Sequence, residues 1–229
     1  MTVPSIGHAC LALLRRDLLL LLRRRMDLLN PAMFAFLVTL MFPLGLGPAP
    51  DQLSLLAPGL VWVIMVLSCL WTTDGLFDED FRDGSLALMV LGCQPLYFLL
   101  MARLAAHWLA SALVIVLLAP LLALMLNLPA AGFVALVASL AMGSVSLVAI
   151  GAIGAALTVS LNNSGLLLGA IVMPLYVPVI IFGSAAVQAA IAGQSFSGHL
   201  AILAAMLLLA LVLAPLAIAA ALRINLDAG

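Results

Sequence analysis

The sequence predicts an all-α integral membrane protein: six transmembrane helices, an N-terminal amphipathic interfacial helix, and a short cytoplasmic helix between spans two and three that is suited to coupling with a partner. Three observations predict it. Of 229 residues, 67% are hydrophobic and only 7% charged, with mean hydropathy +1.36, whereas soluble domains carry about 25% charged residues. Six apolar runs, the first of them short for a span, are separated by polar or Pro/Gly-marked turns. With the amino terminus inside, all eight basic residues, every one an arginine, fall on the inner side.

Residues 5–29 alternate leucines with arginine clusters: Arg15 and Arg16 precede Leu18–Leu22, and Arg23, Arg24 and Arg25 follow. No uncharged run there reaches the roughly 20 residues of a span, so it reads as a helix lying on anionic lipid with its guanidinium groups snorkelling outward. Asn30-Pro31 opens span one, 31–46, which Pro43 ends or kinks. The GPAP turn at 47–50 leads to span two, 54–73. Pro95 to Leu126 would measure roughly 48 Å as one helix, against a hydrocarbon core of about 30 Å. Its first part therefore lies at the interface, the span proper covers about 104–126, and Pro120 is the expected kink. Asn127-Leu-Pro129 turns into span four, 130–159, whose Gly143, Ser144, Ser146, Gly151 and Gly154 suit close helix packing. Ser160–Gly165 is a polar turn, 166–186 span five with Pro174 and Pro178, 188–199 a looser polar segment, 200–222 span six, and RINLDAG a polar tail.

The stretch 76–95 stands out against this background. Asp78, Glu79, Asp80, Arg82 and Asp83 lie inside it, with Asp74 just before. Phe77, Phe81, Ser85 and Leu88, with Leu86 and Met89 beside them, recur at helical spacing. That predicts one short helix with a greasy face and an acidic face, fit for a basic groove on a soluble partner; the plainer reading is a solvated connector.

Several function classes are disfavoured. A P-loop requires lysine, and the chain has none, so any ATP that drives it is hydrolysed by another chain. Cys10, Cys69 and Cys93 form no CxxC motif for thiol-redox or zinc chemistry. His8, His107 and His199 are far apart and lack neighbouring ligands, so no metal site and no catalytic residue is assigned. No carboxylate pair sits in a span and no HExxH or GxSxG motif occurs. Arg103 and His107, one helical turn apart, and His199 at the outer end of span six are the candidates for a substrate pathway or, for the histidines, a ligand role. Trp62, Trp71 and Trp108 read as membrane-belt or packing residues.

The segments RRDLLLLLRRRMDLLNP, LAPGLVWV, LFDEDFRDGSLALMVLGCQPL, LMARLAAHWL and MPLYVPVIIFG together resemble the CcmB family, the haem exporter B proteins of bacterial cytochrome c maturation. The resemblance runs over essentially the whole chain and implies a single membrane permease domain, 1–229, in the inner membrane, with both termini cytoplasmic. It implies two copies of the chain working with the ATPase CcmA (which binds ATP-Mg), the haem-handling CcmC, the small CcmD and the haem chaperone CcmE. Haem would be substrate, not a resident cofactor. Phe77, Asp80, Phe81, Asp83, Gly84, Ser85 and Leu86 match the family's coupling segment, which would contact the ATPase. The chain departs at Ala87 and Leu88, where many relatives carry Glu-Gln, and it lacks a tryptophan-rich haem motif. A non-transporting membrane scaffold and a general exporter permease for another amphipathic substrate are the rival readings.

Overall fold

The computed structural model describes residues 6–23, 25–47, 50–92, 94–161 and 164–227. The GPAP turn, Arg24, Cys93 and the Asn162-Asn163 pair fall wholly or partly outside them. Every regular element among the described residues is helical: α1 (Ile6–Arg23), α2 (Arg25–Leu46), α3 (Pro50–Thr73), α4 (Asp78–Arg82), α5 (Ser85–Leu91), α6 (Leu96–Ala110), α7 (Ala112–Met125), α8 (Phe133–Thr158), α9 (Ser164–Ile191) and α10 (Ser197–Asp227), with a 3₁₀ turn at Ala130–Gly132.

Five stretches are long and apolar enough to cross a membrane: Asp51–Arg82, Leu96–Met125, Ala130–Thr158, Gly165–Ile191 and Ser197–Asn225. They make this a multi-pass membrane protein. The expected first span is represented by a shorter apolar stretch, Leu29–Gly45, within α2.

Prolines interrupt none of these helices. Pro31, Pro43, Pro58, Pro120, Pro174, Pro178 and Pro215 all lie inside helices. Each loses one backbone bond, but in an apolar setting neighbouring helices hold the rest of the ladder together. Pro31 accordingly does not start α2, which begins at Arg25, so the predicted interfacial helix 5–29 ends at Arg23. Nor is α1 a purely lipid-facing element, since it packs along α6.

The stretch 95–126, in which span three was expected at about 104–126, divides into α6 and α7, and Pro120 lies inside α7. It breaks at Ser111 (φ −114°, ψ −73°). The Ser111 hydroxyl donates to the His107 carbonyl at 2.6 Å, and the Ser111 amide donates to the same oxygen at 2.9 Å. Hydroxyl back-bonding of this kind bends helices. At the other end of the chain, α9 and α10 run further than expected. They absorb part of the polar 188–199 segment and most of the tail, where Asn225 donates to Ala156 O (3.1 Å) and Ala221 O (2.9 Å).

The core centres on α8, which packs against α3, α7, α9 and α10. Its small residues let large ones approach. The Trp62 ring fills the space left by Gly143 and Gly183, Gly151 faces the Tyr176 hydroxyl and Thr73, and Gly154 faces Val172. Tyr176 donates to Leu147 O at 2.9 Å and Trp108 Nε1 to Ser144 Oγ at 2.9 Å. Trp62 and Trp108 are thus packing residues, whereas Trp71 is exposed and stacks edge-on with Phe34.

Candidate functional site: a charged joint at one end of the bundle

One end of the bundle gathers the charge. The segment after α3 turns at Gly75 (φ +77°) and enters α4. It does not form one helix: Asp83-Gly84 divides it into α4 and α5. Gly84 takes φ +76°, which L side chains rarely adopt, and the Asp83 carboxylate accepts from the Ser85 amide at 2.8 Å. Together these form a tight turn that favours glycine and aspartate. The turn separates two short helices, each with buried and exposed residues.

The inner face holds Phe77 and Leu86, each 1% exposed, and Asp80, 8% exposed. The Asp80 carboxylate pairs with Arg103 of α6, pairs with Arg16 of α1 at 3.2 Å, and accepts from the Ser85 hydroxyl at 2.8 Å. Arg103 also donates to Leu76 O at 2.7 Å, and its guanidinium carbon lies 5.1 Å from the Phe77 ring centre. Both side chains of the Asp80–Arg103 pair are 11% exposed, whereas Arg16 is 49% exposed. Coulomb attraction between the buried partners is therefore little screened, and the outer pair is weakened by water.

Asp17 of α1 lines a cavity of about 510 Å³ that is bounded also by Arg16, Asp74, Asp80, Arg103, His107 and Ser111. Burial pushes the Asp17 carboxyl above its ordinary value; nearby Arg103 and Arg16 offset part of this, and Asp80 adds to it. Asp74 lies against Gly165 in the first turn of α9, where a negative charge complements the helix dipole.

The residues expected to contact a partner divide in two. Asp83 and Gly84 are exposed, Phe81 and Ser85 half-buried, and Phe77, Asp80 and Leu86 face inward. Arg103 and His107 both reach the cavity wall. His199 is not brought near them. It begins α10, roughly 40 Å at 1.5 Å per residue from Asn225 at the charged end. His8 is exposed on α1. Among the described residues, no group of three or more His, Cys, Asp or Glu side chains is placed to hold a metal ion. Sequence reasoning missed Arg16 and Asp17. The available signal was Arg103 itself, a cation on an apolar helix that requires an acidic partner from elsewhere.

Fold and site define a polytopic helical membrane protein with a clamped pair of surface helices at its charged end. The chain belongs to the CcmB protein family, whose model matches residues 8–225. It is 49% identical over 213 residues to heme exporter protein B of Pseudomonas aeruginosa, covering 93% of this chain and 96% of the relative. The proteins of the same name from Haemophilus influenzae and Escherichia coli K12 are 46% and 39% identical, covering 95% and 93% of this chain and 98% and 97% of theirs.

Proposed function

We propose that this chain is the permease subunit of an ABC-type haem-export complex for cytochrome c biogenesis. ATP is hydrolysed by a partner, and this chain carries the resulting motion to haem delivery, or to release of the loaded haem chaperone, on the periplasmic side. The relatives' names supply haem as the substrate class. The observation that carries the coupling role is the two-sided build of α4–α5. One face is clamped to α6 through Asp80, and the other presents Arg82, Asp83, Gly84, Leu88 and Leu91 outward. Mixed charge beside apolar side chains 77% and 82% exposed, at Leu88 and Leu91, suits a protein partner better than bulk water.

The rest of the assignment follows from this reading. The partners are an ATPase of the CcmA type, CcmC, CcmD and the chaperone CcmE, with a second copy of this chain completing the permease. The short apolar stretch Leu29–Gly45 is read as span one, which brings the count to six. Five arginines, Arg15, Arg16, Arg82, Arg103 and Arg223, belong to the charged end. The positive-inside rule supports a cytoplasmic placement of that end; cytoplasmic termini and the inner membrane belong to the same reading. The chain is itself no enzyme and forms one permease domain.

The test is to co-purify the complex carrying Asp83→Lys, Gly84→Trp or neither, and to measure retention of the ATPase subunit, ATP hydrolysis and maturation of a reporter cytochrome c. Loss of the subunit, or hydrolysis without maturation, is expected. If both variants keep assembly, hydrolysis and maturation, α4–α5 is a connector and the chain is a scaffold or works by another route.

A further inference from the structure

We propose that Arg103 is the positioning residue that makes the surface helices and α6 move as one body, so that force applied to α4–α5 enters the membrane through α6. The proposal deepens the coupling reading above and rests on it.

α4 has five residues and α5 has seven, and isolated helices so short are not stable in water. Their orientation must come from what holds them. The link to α3 runs through the turn at Gly75, where Leu76 N donates to Thr73 O and Asp78 N to Gly75 O at 3.2 Å, and the buried Phe77 and Leu86 side chains seat the segment against the bundle. Arg103 ties that seated segment to α6 by meeting three successive features of it: the Leu76 carbonyl, the Phe77 ring face and the Asp80 carboxylate. A planar guanidinium has donors in a fixed fork, so contacts in three directions define an orientation as well as a distance. Asp80 is fixed in turn by the Ser85 hydroxyl, which ties the start of α5 to the same node.

Transmission through α3 alone would need no buried ion pair at this position. A purely structural pair would not have to gather the turn, α4, α5 and α6 at one side chain. Arg16 brings in α1 as well, but through a half-exposed contact that water and salt weaken. On the far side of Arg103, α6 ends at the Ser111 break beside the cavity, which leaves room for α6 to shift.

The experiment uses the complete complex with Arg103→Ala, Arg103→Lys and the exchanged pair Asp80→Arg with Arg103→Asp, beside Asp83→Lys and Gly84→Trp. Expected for Arg103→Ala is an ATPase subunit that stays bound and hydrolyses ATP while reporter maturation falls at least about fivefold, the lower end of typical coupling strengths. Arg103→Lys keeps the charge and a donor for the Leu76 carbonyl, so it should recover part of that loss; the exchanged pair loses that bond and sets a cation against Arg16, so it should stay as low as Arg103→Ala. Unchanged maturation in Arg103→Ala, dissociation of the ATPase subunit from it, or Arg103→Lys no better than Arg103→Ala would each overturn the proposal. Should Arg103→Ala fail to accumulate in the membrane, Arg103→Lys decides: a bound, hydrolysing ATPase subunit with reduced maturation supports the proposal, and parental maturation or failure to accumulate sinks it. Failure of the docking reading looks different, because Asp83→Lys and Gly84→Trp would then be silent.

Discussion

Trp62 of α3 occupies volume that Gly183 of α9 leaves open, so closely that a methyl group on Gly183 would overlap the indole ring. Gly143 of α8 offers the same accommodation on another side. Three helices are thereby keyed to one side chain. Gly183→Ala should destabilise the purified chain by about 1–3 kcal/mol, the usual range for an overpacked core. Combining it with Trp62→Phe should recover part of that loss, and thermal unfolding in detergent of the two single variants and the double variant would check it. A Gly183→Ala protein as stable as the parent would mean that the slot yields.

The two ion pairs of Asp80 should differ in strength. Removing one partner of a buried pair leaves the other charge stranded and costs about 3–5 kcal/mol. Asp80→Asn is expected near that range, because Arg103 is almost fully covered. Arg16→Ala should cost under about 1 kcal/mol, as exposed pairs do, and its effect should vanish in high salt. Chemical unfolding of the two variants at low and high salt makes the comparison.

A Cβ on Gly84 would meet open space, so within this chain alanine there acts through backbone conformation alone. A left-handed non-glycine residue costs about 1–2 kcal/mol, and asparagine tolerates the conformation better than alanine does. Arg82 is exposed beside it and offers trypsin a local reporter. Gly84→Ala should speed cleavage at Arg82 about five- to thirtyfold, as 1–2 kcal/mol implies, with Gly84→Asn between alanine and the parent. Equal cleavage rates in all three would show that the turn does not control the segment.

Asp17 gives a pH dependence of defined sign. Burial raises its pKa above the ordinary 3.8, so the folded state holds the proton more tightly than the unfolded chain does. The stability contributed by this group is complete below the ordinary value and is lost as pH rises through the raised one. Asp17→Asn should therefore be at least as stable as the parent at neutral pH, with the difference shrinking as pH falls toward about 4. Melting temperatures of both proteins across that range would test the sign. A variant less stable at pH 7 would mean that attraction to Arg103 outweighs burial.

Composition and hydropathy were enough to read the helical membrane class, because lipid leaves a chain little choice but to satisfy its backbone within helices. Five of the six expected spans correspond to stretches of spanning length. The breaks were less legible. Pro120 carried the obvious signal for a kink, yet a missing amide is tolerated in a packed apolar helix, whereas Ser111 supplies a competing hydroxyl at the right carbonyl. The division at Gly84 was hidden because the apolar spacing of Phe77, Phe81, Ser85 and Leu88 continues across it without a change of phase. At the joint, Asp80 looked like a surface acid because its neighbours are acids. Only the fold brings Arg103 to it from α6 and shows that it faces inward. Contacts of that kind depend on how helices stack, which local periodicity does not encode.

The interruption at Ser111 has a mechanical consequence. A continuous helix behaves as a stiff rod that carries twist and thrust from end to end. Here the His107 carbonyl receives both the amide and the hydroxyl of Ser111, where the backbone departs from helical angles and the rod divides into two arms. The lower arm, Leu96–Ala110, carries Arg103, while the upper, Ala112–Met125, lies against α2, α3 and α8. On the coupling role proposed above, a push at the charged end would reach the lower arm first, and the packed upper arm would resist it.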